Sequence, residues 1–111
     1  MSKVKVDGGG LRHNEGKLQW HLLPMDLVRE TVRVMMFGAT KYKPNNWKRG
    51  FKYSTVLDCA YRHLDWWAEG EDNCSESGLS HLAHAMCNLV FLYFFHARKK
   101  YKKFDDRKEW R

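Results

Sequence analysis

The sequence lacks most of the patterns that announce a chemistry. None of its three cysteines, Cys59, Cys74 and Cys87, stands in CxxC spacing. They read as reduced thiols of a cytosolic protein, and no single one is marked out as a nucleophile. A Walker loop, a GxSxG elbow and a Rossmann glycine pattern are all missing. The pair His81 and His84 is spaced HxxH and lacks the glutamate of the zinc-protease HExxH. Strand signals are weak, no internal repeat is present, and low complexity is confined to Gly8, Gly9 and Gly10. The opening MSKVKVDGGG has no apolar core, so it does not read as a signal peptide. The most apolar run, residues 85–97, is interrupted by Asn88 and closes at His96. It falls short of the about 20 residues that a membrane span needs.

What remains is a chain of 111 residues, 43% hydrophobic and 14% aromatic. That suggests one ordered domain with a thin core, and much of the aromatic surface is expected in a subunit interface. The net charge of +7 invites a nucleic-acid reading. Its distribution weakens that reading. Residues 98–111 carry eight basic and three acidic side chains, and the other 97 residues carry twelve and ten. Such a basic run reads as a solvated helix end or a loose arm before it reads as a nucleic-acid contact.

Along the chain, residues 1–10 are expected to be flexible. Residues 11–20 show no clean period and read as an extended loop or short strand. Pro24 and Asp26 suit the start of a first helix, which runs to about Lys41. Glu30 on it is either a solvated charge or a carboxylate turned towards a site. Residues 42–53 form a basic loop in which Tyr42 and Trp47 stand among lysines. Charges for phosphate and rings for stacking suit a nucleotide, although Trp47 could equally be a packing anchor. Ser54 is a plausible N-cap for a second helix that ends at Gly70. Ser75 or Ser77 can cap a third, running from about Glu76 to about Lys103. Its expected core stripe includes Leu79, Leu82, Ala83, Met86, Leu89, Val90 and Phe94.

The stretch from residue 62 to 88 concentrates the ionisable groups. It holds three of the six histidines, two of the three cysteines, and Glu69, Glu71, Asp72 and Glu76. Ser77, His81, His84 and Asn88 fall within roughly 60° of one another on a helical wheel. A single histidine there would be an ordinary hydrogen-bonded core residue; the aligned set favours a site. Carboxylates with imidazoles on facing helices can hold divalent metals, oxygen-rich sets suiting Mg²⁺ or Mn²⁺ and added histidines favouring Mn²⁺, Co²⁺ or Zn²⁺.

Four ordered pieces carry a resemblance: LRHNEGK…LLP, FGATKY…NNW..G, YRHL.WW..GED, and ESGLSHLAHAMCNLVFL. Together they span about residues 11–93 and resemble the phage and bacterial dATP/dGTP diphosphohydrolases, relatives of the MazG-like pyrophosphohydrolases. The resemblance implies an all-α, compact helical bundle of three main helices, MazG-like, with an irregular N-terminal segment. The domain would occupy residues 11–97, with residues 98–111 as a basic tail. It implies hydrolysis of purine deoxynucleoside triphosphates to monophosphate and pyrophosphate by water attack at the α-phosphate, with Mg²⁺, Mn²⁺ or another divalent metal as cofactor. Glu71, Asp72, Glu76, His81 and His84 would surround the metal, and Glu71, Glu76 and His63 would be catalytic. Arg12, Lys17, Lys41, Lys48 and Arg62 would meet phosphate, and Tyr42, Asn46, Trp47 and Asn88 the base and sugar. The ExxE and ExxD motifs usual in MazG-like proteins are not intact here, and Cys74 stands where relatives often have Asp.

A homo-oligomer, dimer or tetramer, in the cytoplasm (a host cytoplasm for a phage protein) is expected, with no membrane association. Two other readings compete. A non-catalytic nucleotide-binding protein predicts binding without product. A basic nucleic-acid-binding helical protein predicts strongly salt-dependent DNA binding, and the tail-heavy charge disfavours it.

Overall fold

The computed structural model describes residues 4–111. Residues 1–3 of the segment expected to be flexible lie outside the described residues. Two short strands, β1 (Val4–Asp7) and β2 (Gly10–His13), pair antiparallel with Val4 opposite His13 and Asp7 opposite Gly10. The glycine triplet makes the turn, and Gly8 takes φ +67°, where a glycine costs least. A single 3-10 turn, Trp20–Leu22, leads into α1 (Met25–Lys41), α2 (Tyr53–Ala68) and α3 (His81–His96). Further 3-10 turns lie at Asn46–Arg49, Lys99–Phe104 and Arg107–Glu109. The body is thus helical, as expected. No helix among the described residues is long and apolar enough to cross a membrane.

Helix α3 is the centre, with α2 packed along it and α1 also against it. Two small apolar clusters result. Tyr53, Val56, Phe95 and Tyr101 form one, with Trp47, Phe94 and Phe104 against it. Val34, Ala83 and Cys87 form the other.

The third helix is shorter at both ends than its sequence suggests. Its N-cap is Ser80, whose hydroxyl accepts the Leu82 N–H, so neither Ser75 nor Ser77 caps it. Residues 71–80 instead fold on themselves. The Cys74 N–H donates to the Leu79 carbonyl at 2.8 Å, Gly78 N–H donates to the Cys74 carbonyl at 2.7 Å, and Asn73 bridges to Ser80. Gly78 takes φ +74°, outside the right-handed helical region, so no helix runs through it from Glu76. At the other end Arg98 is extended, which turns the chain back so that Tyr101 is buried.

The core stripe expected on α3 holds in part: Ala83 is buried, and Leu79, Met86 and Phe94 pack against the two clusters. His81, Ala83, His84, Ala85, Cys87 and Phe95 are the buried residues of the helix. The histidines face α1 and α2, while Leu82, Leu89 and Val90 remain 37–54% exposed.

Residues 98–111 are not a loose arm. The Tyr101 hydroxyl donates to the Lys48 carbonyl at 2.5 Å. Phe104 sits where any side chain at Gly50 (φ +97°) would be. Asp106 accepts the Ser54 N–H at 3.0 Å and bonds its hydroxyl. Ser54 is therefore not the cap of α2. Lys52 occupies that position, and a carboxylate from 52 residues away satisfies the free N–H of the first turn.

Candidate functional site: a histidine-floored cleft

Between α1, the loop of residues 42–52 and the α2–α3 pair lies a cleft of about 610 Å³. Six of the residues expected to meet a nucleotide line it: Lys41, Tyr42, Asn46, Trp47, Lys48 and Asn88. His63 from α2, His84 from α3 and Glu76 from the turn between them complete its floor and rim. The other three, Arg12, Lys17 and Arg62, do not line it, nor do Glu71, Asp72 and His81 of the expected metal set. Arg12 and Lys17 stand on the N-terminal segment.

The floor is a network of imidazoles. His63 and His84 rings stack face to face, centroids 4.4 Å apart and planes within 5°. His63 Nδ1 lies 2.8 Å from His81 Nδ1, and His81 Nε2 lies 2.6 Å from Glu71 Oε1. The carboxylate can only accept, so His81 Nε2 donates. With His81 carrying that single proton, its Nδ1 accepts from His63 Nδ1–H. His63 Nε2 is then left with its lone pair. The carboxylate–imidazole–imidazole chain thereby fixes the tautomer of a ring that lines the cleft.

Burial first, then the neighbouring His84 and His81, pushes His63 down to about 4. Burial and His81 also push His84 below its ordinary value, with Glu76 acting in the opposite direction. His84 Nε2 meets the Ser77 hydroxyl at 2.7 Å, and that oxygen also accepts the Leu79 N–H. The Asn88 amide donates to the His84 carbonyl at 2.9 Å, which leaves its oxygen as an acceptor.

The rim is charged. Lys41 Nζ lies 3.2 Å from both oxygens of Glu76, and this contact raises the Lys41 value. Trp47 stacks on Phe91 with centroids 4.5 Å apart and meets Phe94 edge-on, so its anchoring role is visible in the packing. All three cysteines line the cleft. Burial, reinforced by Cys59, pushes the Cys87 thiol up to about 12, which makes it a poor nucleophile at neutral pH.

The five residues expected around a metal are not gathered in one chain. Among the described residues no group of three or more His, Cys, Asp or Glu could hold an ion. His81 is committed at both ring nitrogens, His84 at Nε2, and Glu76 to Lys41. A resident metal does not fit these side chains as they stand, so no step is routed through one.

Sequence spacing did locate the histidine face. It missed the Glu71–His81–His63 chain, because the Glu71 to His81 link depends on the irregular fold of residues 71–80. The convergence of the cysteines had no local signal either, since they come from two helices and a turn.

A helical body, a cleft with lysines at its mouth and a carboxylate-anchored imidazole floor define the class: a small, mostly helical protein with acid–base groups facing an anion-sized cavity. The chain belongs to the family "dATP/dGTP diphosphohydrolase, N-terminal", which matches residues 7–107. A dATP/dGTP diphosphohydrolase of Salmonella phage PMBT28 is 33% identical over 85 residues, 77% of this chain and 29% of the relative. The chain thus spans less than a third of that relative's length. No solved structure matches the chain.

Proposed function

We propose that this cleft binds a purine deoxynucleoside triphosphate, dATP or dGTP, and hydrolyses it to the monophosphate and pyrophosphate. The observation that carries the reading is the placement of Lys41 and Lys48 around the same 610 Å³ cleft whose floor is His63 and His84. Cations at the mouth suit a polyphosphate, and an unprotonated imidazole suits removal of a proton from an attacking water. His63, oriented by His81 and Glu71, is the general base. Glu76 holds Lys41 in place beside the phosphates. Tyr42 and Asn46 face the nucleoside, and the free Asn88 oxygen accepts from an amino or hydroxyl group. The divalent cation, Mg²⁺ or Mn²⁺, enters as part of the substrate, bound to the triphosphate.

The family and the phage relative support a deoxynucleoside triphosphate as the substrate class. Product analysis by ion-exchange chromatography tests the proposal, with each dNTP and NTP in Mg²⁺, Mn²⁺ or EDTA. Monophosphate and pyrophosphate from dATP and dGTP in the metal-containing samples are expected. Measurable nucleotide binding with no product under any condition would replace the enzyme with a non-catalytic nucleotide-binding protein.

A further inference from the structure

Every residue from 4 to 27 is exposed. The hairpin and the segment after it nevertheless carry a dense apolar set: Leu11, Leu18, Trp20 and Leu22 are 69–78% exposed. Strands β1 and β2 pack mainly on each other. The chain is correspondingly spread out. Its radius of gyration is 18.4 Å, against about 13 Å for a compact domain of this length. A segment with this composition has little reason to stay in water.

The body has an uncovered face of matching character. Leu57, Tyr61 and Leu64 form one stripe on α2, and Leu82, Leu89 and Tyr93 form the facing stripe on α3. Tyr61, Leu89 and Tyr93 are 54–73% exposed. At one end of the stripes, Leu57, Leu89 and Tyr93 line an apolar groove of about 440 Å³ that Arg107 and Trp110 close. Charge agrees with shape. Residues 63–97 contain five acidic residues and no lysine or arginine, and Asp65, Glu69, Glu71 and Asp72 cluster at the end where Leu64 and Leu82 lie. The exposed segment brings Arg12 and Lys17.

We infer that residues 4–23 of one copy of this chain lie along the open α2–α3 face of a second copy, reciprocally. Trp20 and Leu22 fill the groove, and Arg12 and Lys17 reach the acidic turn that ends in Glu71. The reach is adequate: ten residues from Arg12 to Leu22 extend to at most about 33 Å, and α2 is about 24 Å long. The arrangement is isologous, as a two-fold dimer requires. It sets two cations from the partner beside the carboxylate that anchors His81 and His63. Only that last consequence rests on the proposed function; the docking itself does not.

The test is a photo-cross-link. Benzoyl-phenylalanine at position 18 of the full chain is irradiated, and products are separated on a denaturing gel. Covalent dimers are expected, joining residue 18 to peptides containing Tyr61 and Leu64 or Leu89 and Tyr93. Cross-links confined to a single chain, or sedimentation of the unmodified chain as a monomer at tens of micromolar, would overturn the inference. Trp20→Glu and, from the receiving side, Tyr93→Glu should each weaken self-association at least tenfold. If either variant loses its helical circular dichroism, the other decides. Cross-linked dimers without hydrolysis of any nucleotide would remove the proposed function and leave the docking in place. Hydrolysis with intrachain cross-links alone would do the reverse.

Discussion

The imidazole of His63 lies flat against that of His84, and an edge of the same ring bonds His81. Two stacked rings tolerate one proton poorly and two hardly at all. His63 is held at about 4, against 6.5 in an unfolded chain, chiefly by burial. Between those values the unfolded state binds more protons, so stability rises with pH. The contribution is complete above pH 6.5 and is lost progressively as pH falls towards 4. Melting temperatures measured from pH 8 to 4 should therefore be level above 6.5 and fall below it. His63→Gln should flatten that slope. An unchanged slope would mean that another group carries the acid sensitivity.

Glu71 tests the orientation of His63 without removing it. Glu71→Gln keeps an oxygen that can accept from His81 Nε2 and deletes the charge. Stability should change little, because Glu71 is 54% exposed at its side chain. Hydrolysis should fall by about 10²-fold, within the range that general-base catalysis supplies, and the pH–rate profile should shift. Loss confined to KM, with kcat and the profile unchanged, would make Glu71 a binding group only.

Glu76 and Lys41 form an exposed pair at the rim, with side chains 63% and 39% accessible. Such pairs add little to folding, so Glu76→Ala should melt close to the wild type. Its turnover should nevertheless be abolished, as should that of His84→Ala. Helical circular dichroism checks that both variants are folded. Normal turnover by either variant with saturating Mn²⁺ would remove that residue from the machinery.

How much of this could be read in advance follows from the range of the forces involved. The stripe of Ser77, His81, His84 and Asn88 is a local periodicity, and two of its members, His84 and Asn88, line the cleft. Pro24 and Asp26 marked the start of α1 for the same reason. The α3 boundaries were not legible. An apolar run such as residues 85–97 gives no sign of where it stops, and Arg98 turns the chain because Tyr101 finds a partner at Lys48. Nor was the polarity of α3 legible, with His81 and His84 inward and Leu82 and Leu89 outward. That choice is made by α1 and α2 packing against it. Composition likewise could not distinguish a solvated basic tail from a segment that reaches 52 residues back to bond Ser54.

That basic segment offers the sharpest contrast between electrostatic and structural roles. Eight of its side chains are basic, yet its fixed points are Tyr101, Phe104 and Asp106. Tyr101 is 3% exposed, and its hydroxyl holds the Lys48 carbonyl in the loop that lines the cleft. Tyr101→Phe removes only that bond and should cost about 1 kcal/mol, read as a lower denaturant midpoint at constant m. The loop should loosen with it, so the KM for nucleotide should rise. Truncation after residue 97 removes the buried Tyr101 and the half-buried Phe104, and deleting a large core aromatic costs of the order of 3–5 kcal/mol. A domain with cores this small should not survive it, and cooperative thermal unfolding should disappear. A truncated chain that melts like the wild type and fails only to bind DNA would return residues 98–111 to the role of a nucleic-acid arm.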